Sequence, residues 1–136
     1  MSNLLKRART DIQIAKTLLS PEGNPTNDEM ITDQAAYHIQ QGIEKALKYQ
    51  TEISGFPYKK IHNLVGLITD VEATGFTISN ELKAMAFQIS DWEASSRYND
   101  DFTVLKEDLL KAIRLYEELE TQILVNLANS TAEEGE

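Results

Sequence analysis

Apolar side chains recur every three or four residues along almost the whole chain, and no long stretch alternates apolar with polar residues. That period belongs to helices, each of which must bury one stripe against its neighbours. The clearest stripe is the last: Leu105, Leu109, Ala112, Tyr116, Leu119, Ile123 and Leu127. Leu5, Ala8, Ile12, Ala15 and Leu19 line a first helix, which Ser20-Pro21-Glu22-Gly23-Asn24-Pro25 breaks. A second helix carries Ala35, Ala36, Ile39, Ile43, Ala46, Leu47 and Ile53 and ends at Gly55-Phe56-Pro57. Its start is either a Thr26/Glu29 capping box or a later cap at Thr32 or Asp33. Ile61, Leu64, Val65, Ile68 and Val71 form a shorter third helix that stops by Gly75. Leu82, Met85, Ala86, Ile89 and Trp92 form a fourth, capped by Ser79 or Asn80. Ser95 to Asp101 is polar and turn-prone. The spacing predicts an all-α, antiparallel up-and-down bundle of about five helices over residues 1–128. An acidic, disordered tail is expected over residues 129–136.

At 136 residues the chain suits one domain with a single core. It has no cysteine, which removes disulfides, thiol nucleophiles and thiolate metal sites together. The net charge of −9 opposes non-specific DNA binding. The charge is uneven: residues 1–65 hold 8 basic and 7 acidic side chains, and residues 66–136 hold 5 and 15. A phosphate-bearing ligand therefore meets the less hostile surface in the first half. No secretory signal and no apolar run long enough for a bilayer is read in the sequence, so a cytoplasmic, non-membrane protein is expected.

Several chemistries lack their residues. No Gly-rich phosphate loop is present, and no strand to present one. The only histidines, His38 and His62, are preceded three residues earlier by Ala35 and Lys59, so the Glu-x-x-His pairs of di-iron bundles are missing. No metal and no cofactor are expected.

One polar stripe is left on the second helix: Gln34, His38, Gln41, Lys45 and Lys48. At 100° per residue, His38, Gln41 and Lys45 lie within about 60° of one another. Together they offer a ring, an amide and an ammonium, groups that can hold a base and a phosphate. The plainer alternative is a boundary face whose His and Gln are satisfied by neighbours. His62 opens the third helix, where unpaired backbone N–H groups favour an anion. Arg97 and Tyr98 follow the fourth stripe; Arg97 reads either as complementing the helix dipole or pairing with Asp91, Asp100 or Asp101, or as a guanidinium clamp beside the stacking ring of Tyr98.

The run from Ala35 to Lys48 contains Tyr37-His38, Gln40-Gln41 and Glu44-Lys45-Ala46-Leu47-Lys48. It resembles the second long helix of the HEPN family (higher eukaryotes and prokaryotes nucleotide-binding). Gly55 with Ile61-His62-Asn63-Leu64, and then Ser96-Arg97-Tyr98, are similar to that family's later motifs in order and spacing. The resemblance covers roughly residues 1–128 and implies a helical bundle, often a homodimer. It further implies nucleotide or RNA binding, metal-independent ribonuclease activity in many members, and pairing with small nucleotidyltransferases in toxin–antitoxin-like systems. Cutting members carry an Arg, then four to six intervening residues, then a His. Here the corresponding slots after Arg97 hold Phe102, Thr103 and Val104, and no His follows His62. None of those side chains transfers a proton well near neutral pH.

The expectation is therefore a non-catalytic nucleotide- or RNA-binding module using His38, Gln41, Lys45, His62, Arg97 and Tyr98, with a nucleotidyltransferase as the implied partner. Two alternatives stand beside it. One is a ribonuclease with a displaced base, in which Arg97 would be catalytic. The other is a helical interaction domain whose acidic half meets a basic partner.

Overall fold

The computed structural model shows five helices among the described residues. It describes the backbone of residues 2–57, 63–98 and 104–134, with side chains except those of 93–98 and 131–134. They are α1 (Leu4–Leu19), α2 (Glu29–Ile53), α3 (Leu64–Ala73), α4 (Asn80–Tyr98) and α5 (Lys106–Glu134). Among the described residues there is no strand, and the all-α class follows the three-to-four spacing directly.

Capping chemistry sets the helix ends. Asp28, and not Thr26, Thr32 or Asp33, caps α2: its carboxylate accepts from the Met30 N–H at 2.9 Å. Asn24 holds that residue in place by accepting from the Asp28 N–H at 2.6 Å. Asn63 caps α3 by accepting from Val65 at 2.9 Å, and the Ser79 hydroxyl accepts from Leu82 at the start of α4. Gly55, at φ 86°, lies beyond the C-terminal end of α2 in the left-handed region that glycine enters without steric cost. Helix α4 continues through Ser95-Ser96-Arg97-Tyr98, which the sequence reads as turn-prone. Helix propensity is a weak prior, and a helix anchored upstream by Leu82, Met85, Ala86, Ile89 and Trp92 carries such residues along. Helix α5 runs past residue 128 to Glu134.

The stripes become the core. Leu5, Ala8, Ile12, Ala15 and Leu19 of α1 are buried, as are Ala35, Ala36, Ile39, Ile43, Ala46 and Leu47 of α2. In α3 the buried positions are Leu64, Leu67, Ile68 and Val71, while Val65 faces out and Ile61 lies outside the described residues. In α5 the stripe widens to include Ile113 and Leu115, and Leu105 stands exposed before the first turn.

Helix α2 is the central element, touching α1, α3, α4 and α5. Its most extensive packing is against α1, and Gly42 lies on that contact. A Cβ there would lie 2.8 Å from Ile12 Cδ1 and 3.2 Å from the Ala8 carbonyl oxygen. The absence of a side chain at Gly42 thus lets α1 settle onto α2, and this contact positions the site. Side-chain contacts give the directions of neighbouring helices. Glu81 and Gln88 of α4 meet Arg114 and Asp108 of α5, so these two run in opposite senses. Leu64 meets Ser90 and Glu72 meets Lys83, so α3 and α4 do as well.

Candidate functional site

His38 and Lys45 are seven residues apart, two turns of α2, so they share a face and stand about 10 Å apart along its axis. Asp11 of α1 sits between them. His38 Nδ1 lies 2.8 Å from Asp11 Oδ1, and Lys45 Nζ donates to Asp11 Oδ2 at 2.5 Å. A carboxylate paired with an ammonium only accepts, so the ring carries its proton on Nδ1. The Tyr37 ring meets the imidazole edge-on, with centroids 5.3 Å apart. Asp11 is buried at 7% exposure, whereas the side chains of His38 and Lys45 are 23% and 27% exposed. The two donors are thus held from beneath and open to solvent above.

Gln41 is not part of this cluster. It lies about 60° around α2 from His38, on the side away from Gly42, and turns toward Glu44 instead. Gln41 Nε2 donates to Glu44 Oε2 at 3.2 Å and to Gln40 Oε1 at 2.7 Å. Lys48 Nζ donates to Glu44 Oε1 at 3.0 Å. Glu44 is 1% exposed and Gln40 is fully buried. A buried carboxylate requires partners of this kind, because an unpaired charge in the interior is very costly. The stripe read from the sequence therefore divides into two clusters, one bordering α1 and one turned inward, with Gln34 exposed beyond both.

Of the other expected site residues, His62 lies outside the described residues, and so do the side chains of Arg97 and Tyr98. The structure brings His38 and Lys45 together and separates Gln41 from them. It also adds two acids that the sequence reading passed over, Asp11 and Glu44. Both carry a signal that could have found them. Asp11 stands three residues after Ala8 and four before Ala15, on an otherwise apolar stripe, where a charge must find a partner. Glu44 follows Gln40 by one turn and precedes Leu47 and Thr51, all of them buried.

Among the described residues no three His, Asp or Glu side chains converge as metal ligands, and no helix is long and apolar enough to cross a membrane. What the Asp11 cluster can do chemically is hold an oxyanion. A ring N–H and an ammonium already grip two carboxylate oxygens, and two phosphate oxygens present the same kind of acceptor pair.

A family model described as HEPN domain matches residues 1–124 of the chain. No curated protein and no solved structure matches it.

Proposed function

The chain belongs to the HEPN domain family, and from that premise we propose that it is a nucleotide- or RNA-binding module whose ligand sits on the His38–Lys45 edge of α2. One observation carries this reading. Two donors with different chemistry, separated by two helical turns, converge on a single carboxylate while remaining open to solvent. The surface around it belongs to the half of the chain that is not strongly acidic.

The module is non-catalytic in this reading, because no histidine follows Arg97 to move a proton. His62, Arg97 and Tyr98 belong to the proposal as further ligand contacts on family grounds. So do a homodimer, a nucleotidyltransferase partner and a cytoplasmic setting.

The test is a thermal-shift screen with ribonucleotides and short RNAs, since a ligand that binds only the folded state raises its melting temperature. Wild type should shift at millimolar nucleotide. Lys45→Met and His38→Phe should each lose most of that shift. A flat response across the panel, or one that both variants retain in full, refutes the assignment.

A further inference from the structure

Helix α5 runs on to Glu134, eleven residues beyond Ile123, the last of its described side chains to be buried. From Leu124 to Ser130 no side chain is buried. A helix that outruns its core ordinarily turns charged side chains to water. Here residues 121–132 carry no charge at all. Beside them lies a groove of about 360 Å³, between α5 and the turn that precedes α4, and no charged residue lines it. Phe76 and Val125 give it apolar surface, and Val125 is 55% exposed. Gln122 Nε2 donates to the Thr77 carbonyl at 3.3 Å and ties the two walls together. Independently of the nucleotide reading, we infer that this groove docks a helix of a different protein, one whose apolar stripe is flanked by Lys or Arg at both ends.

Charge selects that occupant. Beyond Arg114 the chain has no basic residue and six acids. Glu117, Glu118 and Glu120 stand before the uncharged stretch, and Glu133, Glu134 and Glu136 stand after it. A second copy laid along this stretch, parallel or antiparallel, would set acids against acids at both ends, and like charges across an interface repel. A partner with bases at those two places meets complementary charge instead. The first three acids already pair with Lys16, Arg114 and Arg9, but these are surface pairs of small worth, so an incoming base can share their carboxylates. Twelve helical residues span about 18 Å, which sets the distance between the partner's two basic ends. The three turns between them would carry apolar residues at helical spacing toward Phe76 and Val125. Asn126 and Asn129, on the α5 wall of the groove, offer amides to polar side chains at the edge of that stripe.

The probe is a synthetic helical peptide of roughly 18 residues, with a leucine stripe in its middle turns and two lysines at each end. A second peptide carries glutamates in place of the lysines. Calorimetry on the full chain at about 50 mM salt, where surface charges are weakly screened, should find the lysine peptide bound at least about tenfold more tightly. Val125→Asp places a charge in the groove at an exposed position, which leaves the core intact, and should weaken the lysine peptide by about tenfold. Phe87→Asp alters a residue of α4 that is 78% exposed and lies outside the groove, and should leave the affinity unchanged. No binding of the lysine peptide overturns the inference, as does equal binding of the two peptides. A loss in Phe87→Asp as large as that in Val125→Asp overturns it too, because the peptide would then adhere without a site. Dimerisation seen by sedimentation and abolished by Val125→Asp would make the occupant a second copy, which also refutes it. None of these results bears on the nucleotide screen with the His38 and Lys45 variants.

Discussion

Asp33 and Tyr116 each bury a polar atom that finds no hydrogen-bond partner, the Asp33 Oδ1 and the Tyr116 hydroxyl. Burial raises the Asp33 pKa above its ordinary value, and the neighbouring Glu29 charge adds to the effect. A raised carboxyl pKa means that the folded state resists ionisation. Stability is unaffected below the unfolded value and falls as pH rises through the folded one. Asp33→Asn should therefore unfold at higher denaturant than wild type at pH 7, and the advantage should vanish by about pH 3. An equal advantage at both pH values would remove the electrostatic explanation. Burial also pushes the Tyr116 phenol well above its usual range, and the neighbouring Glu120 carboxylate adds to the effect. Tyr116→Phe removes an unpaired buried group and should be neutral or stabilising at pH 7, by up to about 1 kcal/mol in urea titrations. Above about pH 10 the gap should widen in favour of the variant, because wild type alone then resists an ionisation that its unfolded state permits. A clear loss of stability in Tyr116→Phe at neutral pH would show that the hydroxyl has a partner. The Asp11 and Glu44 clusters are different, since their acids are held by His38, Lys45, Lys48 and Gln41.

Among the elements, the seam between α1 and α2 matters most for the site, and Gly42 governs it. A methyl group at that position meets Ile12 and the Ala8 carbonyl at distances shorter than ordinary van der Waals contact. Gly42→Ala should therefore cost about 1–3 kcal/mol in chemical denaturation, despite the better helix propensity of alanine. Ile12→Ala removes the side chain that the new methyl meets first. The double variant should consequently lose less than the two single losses combined, a coupling that a double-mutant cycle reads directly. Strict additivity would mean that the seam has slack. The same seam holds Asp11 against α2, so Gly42→Ala should also disturb the contacts of Asp11 with His38 and Lys45. Most of the element boundaries were legible in the residues themselves. Pro21, Pro25 and Pro57 bracket the loops, and Gly55 and Gly75 both take positive φ. The α2 cap was not read as Asp28, because Thr26, Thr32 and Asp33 carry equally good capping groups and the Asn24 contact decides among them. The helical course of Ser95–Tyr98 was not legible either, since its polar composition says nothing of the helix anchored upstream.

Over the molecule as a whole, net charge opposes folding. The chain carries −9, and the acids of residues 66–136 outnumber the bases by ten. The ion pairs described between α1 and α5 and between α4 and α5, Arg9–Glu120, Lys16–Glu117 and Arg114–Glu81, lie at the surface and contribute little individually. Screening should thus relieve more repulsion than it costs in attraction. Raising sodium chloride from about 20 mM to about 300 mM shortens the Debye length from roughly 20 Å to under 10 Å and should raise the melting temperature. A falling melting temperature would mean that the ion pairs outweigh the net charge. The all-α class and the composition of the core followed from the sequence alone, because a three-to-four period leaves each helix one apolar face and burial of those faces dominates the free energy of folding. The candidate residues His38 and Lys45 could likewise be found from their spacing along one helix. What holds them could not. Asp11 is distant in the chain and meets them only because Gly42 admits α1 so closely, and Gln41 departs from them because the buried Glu44 claims its amide. Helical periodicity reports which side of its own axis a residue occupies. Which partner waits on that side is decided by how separate helices pack.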